Sequence, residues 1–124
     1  EPGQPEQRVH LDCLYWNRNG ASWVEVATLT RIIDGGFGQG VSCGDYDNDG
    51  FVDLYVANID GNRLWRNQGD GTFGDVTLAA GVGHEFWTTT CLMADINADG
   101  VADLYDVTFL TGPDIFERIC TGED

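Results

Sequence analysis

The sequence predicts an all-β chain of antiparallel four-stranded units, each with an acidic loop between two of its strands, and three observations carry that prediction. The chain of 124 residues repeats itself at a fixed offset: Asp45, Asp49, Gly50, Asp53, Leu54 and Tyr55 recur as Asp95, Asp99, Gly100, Asp103, Leu104 and Tyr105. Its acid is mostly aspartate, 15 Asp against 6 Glu, and aspartate favours turns, caps and metal loops over helical surfaces. Its 17 Gly and 3 Pro break the chain into short apolar runs, and no segment holds a helical period over the ten or so residues a helix needs.

Composition sets the outer bounds. At 13.6 kDa the chain is one domain or a piece of a larger one. Hydrophobic residues at 42% support a packed core and argue against disorder. No apolar run approaches the roughly 18–20 residues of a membrane span. Six Lys+Arg against 21 Asp+Glu give a net charge of −15, which excludes the basic footprint of a nucleic-acid or anionic-lipid binder. The chain opens on Glu1, so a processed product or an excised piece is expected.

The elements follow in order. Residues 1–10 form a polar leader. Residues 11–34 supply the last strands of a first unit, around Leu14 and Trp23; Leu14-Tyr15-Trp16-Asn17 lies over Leu64-Trp65-Arg66-Asn67 at the same offset. Residues 35–84 form a complete unit. It has strands over Val41 to Gly44, Leu54 to Asn58, Arg63 to Arg66 and Thr72 to Val76, with a turn over Asn58 to Asn62 and a hairpin at Gln68 to Gly71. Residues 85–124 supply the first strands of a third unit, with Ile115 to Ile119 as a further strand candidate. Four strands in about 40–50 residues is the size of a β-propeller blade. The chain thus holds about two blades' worth of strands, a partial propeller. A propeller needs at least four blades to close, so closure requires more repeats or more copies. A trimer would supply six blades and a tetramer eight, by the joining of half-blades.

The loops carry the chemistry. Asp45, Asp47, Asp49 and Asp53 stand at loop positions 1, 3, 5 and 9, and Phe51 at position 7 offers its backbone carbonyl. The second loop presents Asp95, Asn97, Asp99, Val101 and Asp103 at the same positions. Calcium takes six to eight oxygens at about 2.3–2.6 Å, and alternate residues of a tight loop can point inward to provide them. Magnesium fits less well, because it demands strict octahedral geometry and keeps its waters. An EF-hand would need a bidentate Glu at position 12, where this chain has Val56 and Asp106, and flanking helices where it reads as strands. Four carboxylates in nine residues repel one another without a cation, so a plain solvated turn is the weaker reading. Two Ca2+ sites are expected, and filling both moves the formal charge from −15 to −11. The ions would act structurally.

These motifs resemble FG-GAP, or VCBS, repeats, the calcium-binding blades of integrin-α-like β-propellers. The resemblance rests on Phe37-Gly38, on Asp45-x-Asp47-x-Asp49-Gly50-x-x-Asp53-Leu54, and on the tail from Asn62-Arg63-Leu64-Trp65-Arg66-Asn67 through Gly69-Asp70-Gly71-Thr72-Phe73 to Asp75-Val76. That tail resembles in particular bacterial proteins related to cartilage acidic protein, which carry an ASPIC/UnbV region after their repeats. The chain departs from the pattern at Val56-Ala57-Asn58, where the family has Gly-Ala-Pro, and at Trp87-Thr88, where it has Phe-Gly. The resemblance implies a secreted or surface-attached propeller used for recognition, with calcium in each blade. The expected role is recognition or adhesion in a secreted, periplasmic or cell-surface setting, with a protein or glycan ligand, and acids that fall on metal spacing argue against an enzyme.

The alternative is a non-catalytic or partly catalytic propeller segment of a polysaccharide-active enzyme, for which only Arg63, Arg66 and His84 stand as candidates. His10 and His84 otherwise read as surface or turn residues. Trp23, Trp65 and Trp87 fill repeat positions and are expected in the core between blades; Trp16 is the one tryptophan expected to be free for ligand stacking. Gly35-Gly36-Phe37-Gly38-Gln39-Gly40 lacks the Lys and following helix of a phosphate loop and reads as a connector. Four cysteines match no zinc spacing, and their even number suits an oxidising compartment. Cys43 and Cys91 are expected as buried thiols. Cys13 and Cys120 leave two choices, each other or a partner outside the chain.

Overall fold

A computed structural model describes residues 11–110. The architecture is all-β apart from two single-turn helices. In chain order the elements are β1 (Tyr15–Arg18), β2 (Ser22–Glu25), α1 (Ala27–Thr30), β3 (Gly38–Gly44), β4 (Asp53–Asn58), β5 (Arg63–Asn67), β6 (Phe73–Asp75), α2 (Thr77–Ala80), β7 (Trp87–Ala94) and β8 (Asp103–Leu110). They form three antiparallel sheets: β1-β2, β3-β4-β5-β6 and β7-β8. The strand candidate at Ile115 to Ile119, the residue His10 and Cys120 lie outside the described residues.

The central sheet is a meander with Leu54 opposite Trp65 and Tyr55 opposite Leu64. Because side chains alternate along a strand, it has two apolar faces. One face carries Val56 and Trp65, packed with Ile32 and against Leu14 of the first unit. The other carries Tyr55 and Leu64, packed with Met93 of the third unit. Strand β4 is therefore covered on both sides, which explains its nearly unbroken apolar run. Strands β3 and β7 lie side by side and run the same way, with Gly40 against Thr90 and Gly44 against Met93. Ser42 Oγ accepts the Met93 N–H at 2.9 Å. The units stack face to face, each burying its neighbour's apolar side.

Equivalent residues show what stacking contributes. Trp65 is 5% exposed, while Tyr15 at the same position of the first unit is 55% exposed. Tyr55 is 1% exposed and Tyr105 58%. Trp23, expected in the core, is 65% exposed, because the described residues place no neighbouring strands against that face of β2. Trp87 is half-buried and meets Phe109 edge-on, and Trp16 is exposed beneath the Arg18 guanidinium. Cys43, expected to be buried, is exposed, and Cys91 is half-buried with its thiol 3.4 Å from the Tyr55 carbonyl. The offset explains the difference: Cys43 corresponds to the buried Met93, but its side of β3 faces the first unit across an open groove shared with Leu14 and Ile32.

Two local features escaped the sequence reading. Helices α1 and α2 are four residues each, too short to show a period. Each ends in the left-handed region, at Arg31 with φ 66° and at Gly81 with φ 71°. Asp75 holds the second helix start, its Oδ1 accepting the Thr77 N–H at 3.0 Å. The glycine-rich connector is shorter than expected, since Gly38 to Gly40 already belong to β3.

Candidate metal centre

The two acidic loops link β3 to β4 and β7 to β8, at the same end of their sheets. Their backbones match. Asn48 and Gly50 take φ of 57° and 91°, and Ala98 and Gly100 take 63° and 87°. This left-handed pair folds the loop back on itself, and it is why a glycine stands at position 6 of both.

Hydrogen bonds repeat as well. Asp45 Oδ1 accepts the Asp49 N–H at 3.1 Å and its Oδ2 accepts the Gly50 N–H at 2.8 Å. Asp95 accepts from Asp99 and Gly100 at the same two distances. Asp49 accepts the Phe51 N–H, as Asp99 accepts the Val101 N–H. Asp53 and Asp103 close the loop necks, accepting the N–H groups of Tyr46 and Ile96 at 3.0 Å. The loops also touch each other: the Asn48 amide donates to the Gly100 carbonyl at 3.0 Å.

In the first loop Asp45, Asp47 and Asp49 each bring a carboxylate oxygen within 4.8 Å of the others. Two oxygens bound to one calcium at about 2.3–2.6 Å lie at most about 5 Å apart, so this spacing fits a shared ion. An all-oxygen donor set suits a hard cation. In the second loop Asn97 Oδ1 accepts the Asp99 N–H at 2.9 Å, so the amide occupies the place of the Asp47 carboxylate. Phe51 and Val101 are exposed at position 7, and the Phe51 ring lies so close over Gly69 that any Cβ there would strike it.

Asp53 differs from the triad. It is fully buried, and its second oxygen accepts the Asn67 N–H at 2.7 Å. Burial pushes its carboxyl above the ordinary value; the N–H groups of Asn67 and Tyr46 pull it back, and the charges of Asp47 and Asp49 push it up again. Asp53 thus ties the loop to β5.

Arg66 on β5 went unrecognised as part of this centre. Its Nη2 donates to Asp49 Oδ2 at 2.9 Å and its Nε stands 2.6 Å from Asp47 Oδ2. These contacts raise its already high pKa. The other basic and imidazole candidates, Arg63 and His84, are exposed.

A stack of antiparallel units with aspartate loops at matched ends defines a β-propeller-like repeat protein. The FG-GAP-like repeat matches residues 8–56 and 45–105, and the chain belongs to that family. It is also similar to cartilage acidic protein 1 of Homo sapiens, 40% identical over 70 residues, and of Xenopus tropicalis, 35% identical over 69 residues. Each match covers 54% of this chain. The chain spans 10% of the human relative's length and 11% of the frog relative's.

Proposed function

We propose that the chain is a calcium-binding segment of an extracellular β-propeller used for recognition or adhesion, with calcium holding its loops together. The carrying observation is the Asp45, Asp47 and Asp49 oxygens gathered within 4.8 Å, in a loop whose hydrogen-bond pattern the second loop repeats. On this reading Asp53, Asp103, the Phe51 and Val101 carbonyls and Asn97 complete two sites, and the carboxylates serve as ligands rather than as acid and base. The location is secreted, periplasmic or cell-surface. No helix among the described residues is long and apolar enough to cross a membrane.

The edges of β1 and β8 that are unpaired among the described residues take up further repeats or second copies of the chain. Equivalence with β5 and β4 sets the pairing, since those strands join in the complete unit. A ligand, protein or glycan, would meet the finished propeller.

Calorimetric calcium titration tests the reading, with light scattering in calcium and in EDTA. Two ions per chain are expected, with a melting temperature that climbs with calcium; saturation at 100 times Kd adds about 2.7 kcal/mol. Asp49→Ala should lose one ion and part of that gain. No calcium heat, or a melting temperature indifferent to calcium, overturns the reading. A discrete trimer or tetramer in calcium marks self-completion, and a monomer marks a segment completed by other repeats.

A further inference from the structure

We propose that Arg66 is a resident counter-ion of the first loop, competing with a divalent cation for Asp47 and Asp49 and holding the loop closed when no cation is bound. The inference rests on the calcium reading above and concerns how that site is tuned.

The geometry is direct. One guanidinium spans two of the three clustered carboxylates, at 2.6 Å from Asp47 and 2.9 Å from Asp49. Its buried Nε has no hydrogen-bond acceptor of good geometry, so the approach to Asp47 is a charge contact. Arg66 reaches the loop from β5, a strand the loop itself does not join. It therefore pins the loop to the body of the unit.

Comparison of the two loops shows why a counter-ion stands here. The first loop holds Asp45, Asp47, Asp49 and Asp53; the second holds Asp95, Asp99 and Asp103, with the neutral Asn97 opposite Asp47. The extra carboxylate is Asp47, the one that Arg66 Nε meets. In the central unit the guanidinium and the extra carboxylate meet directly. With Arg66 counted, the first loop carries the same formal charge as the second.

A guanidinium and a dication draw on the same oxygens. The cation must share those carboxylates with Arg66 or displace it. The Arg66 side chain is 38% exposed, so it can swing into water and its field is screened. The effect on affinity is then moderate: about fivefold for one unit charge swung out to about 8 Å from a dication at solvent-like permittivity.

The test compares the wild-type chain, Arg66→Gln, Asp47→Asn and the double variant by calcium calorimetry at one ionic strength, with thermal unfolding in EDTA. Arg66→Gln should tighten one of two sites by about fivefold, leave the other unchanged and lower the melting temperature in EDTA. In the Asp47→Asn background the same change should have a much smaller effect, the signature of a shared interaction. Binding by Arg66→Gln where the wild type binds nothing also supports competition. Equal or weaker calcium binding by Arg66→Gln, with wild-type binding intact, overturns this proposal and leaves the calcium reading standing. Absence of binding in all four chains overturns both.

Discussion

The hydroxyl of Tyr55 donates to the Asp106 carboxylate at 2.9 Å, joining the second unit to the third across their packed faces. Asn62 reinforces the link, its amide reaching the same Asp106 oxygen at 2.9 Å and the Tyr55 hydroxyl at 3.1 Å. The Asn62 side-chain oxygen in turn accepts the Asn58 N–H at 3.0 Å, and the Asn58 amide donates to Asp34. Asp34, Asn58 and Asn62 are all buried. A polar chain thus runs through the stack from the first unit to the third, at strand ends away from the acidic loops. Burial raises the Tyr55 pKa, Asn62 lowers it and the Asp106 contact raises it further, so the tyrosine stays a donor at any ordinary pH.

Tyr55→Phe removes that donor and leaves a half-buried carboxylate with less support. Loss of one partner of a buried hydrogen bond costs about 1–3 kcal/mol. Chemical denaturation should show a drop in that range, with an unchanged dependence on calcium.

Two glycines make tight contacts with different tolerance. A Cβ at Gly36 would lie 2.7 Å from the Asn58 side-chain carbon, and Asn58 is fully buried and bonded on several sides. A Cβ at Gly44 would lie 2.6 Å from the Met93 sulfur, the end of a flexible chain. Gly36→Ala should therefore destabilise more than Gly44→Ala, by at least about 1 kcal/mol in a comparison of urea midpoints.

Ala98 stands in the left-handed region at φ 63°, where Asn48 serves in the first loop. A β-carbon costs roughly 1 kcal/mol there, and asparagine tolerates the conformation better. Ala98→Asn should raise ion-free stability by about 0.5–1 kcal/mol, visible as a higher melting temperature in EDTA.

Asp12 tests pH dependence. Burial raises its carboxyl above the ordinary value, and the neighbouring Asp34 charge adds to the rise. A carboxyl whose folded pKa is raised favours the fold most below the unfolded value of 3.8, and that contribution is lost as pH climbs through the folded value. Asp12→Asn should remove this slope, gaining stability at neutral pH relative to wild type. A pH series of melting curves from about 3 to 7 checks it; an unchanged slope refutes it.

Much of this was legible in the residues. The identities from Asp45 to Tyr55 and from Asp95 to Tyr105 place two equivalent loops between strands, because only short stretches of sequence set their turns. The alternation of Tyr55 and Val56 does not by itself say which face meets which unit. Trp23 and Trp65 read alike in sequence, yet one is exposed and the other buried. Burial depends on a neighbouring unit, and sequence similarity between repeats carries no record of it. The one-turn helices left no period to find, and the role of Arg66 was hidden because it lies 17 residues beyond Asp49 along the chain.

The sequence by itself determined the repeat, the strand-turn-strand order and the aspartate spacing of both loops. Each of these is local: a glycine at position 6 permits the turn, and alternate aspartates face its inside. Tertiary structure alone decided which thiols and tryptophans are covered, how Arg66 meets the first loop, and how Tyr55 reaches Asp106 on the next unit. Those are contacts between segments brought together by stacking, and their energy comes from burial and charge that exist only once the units pack.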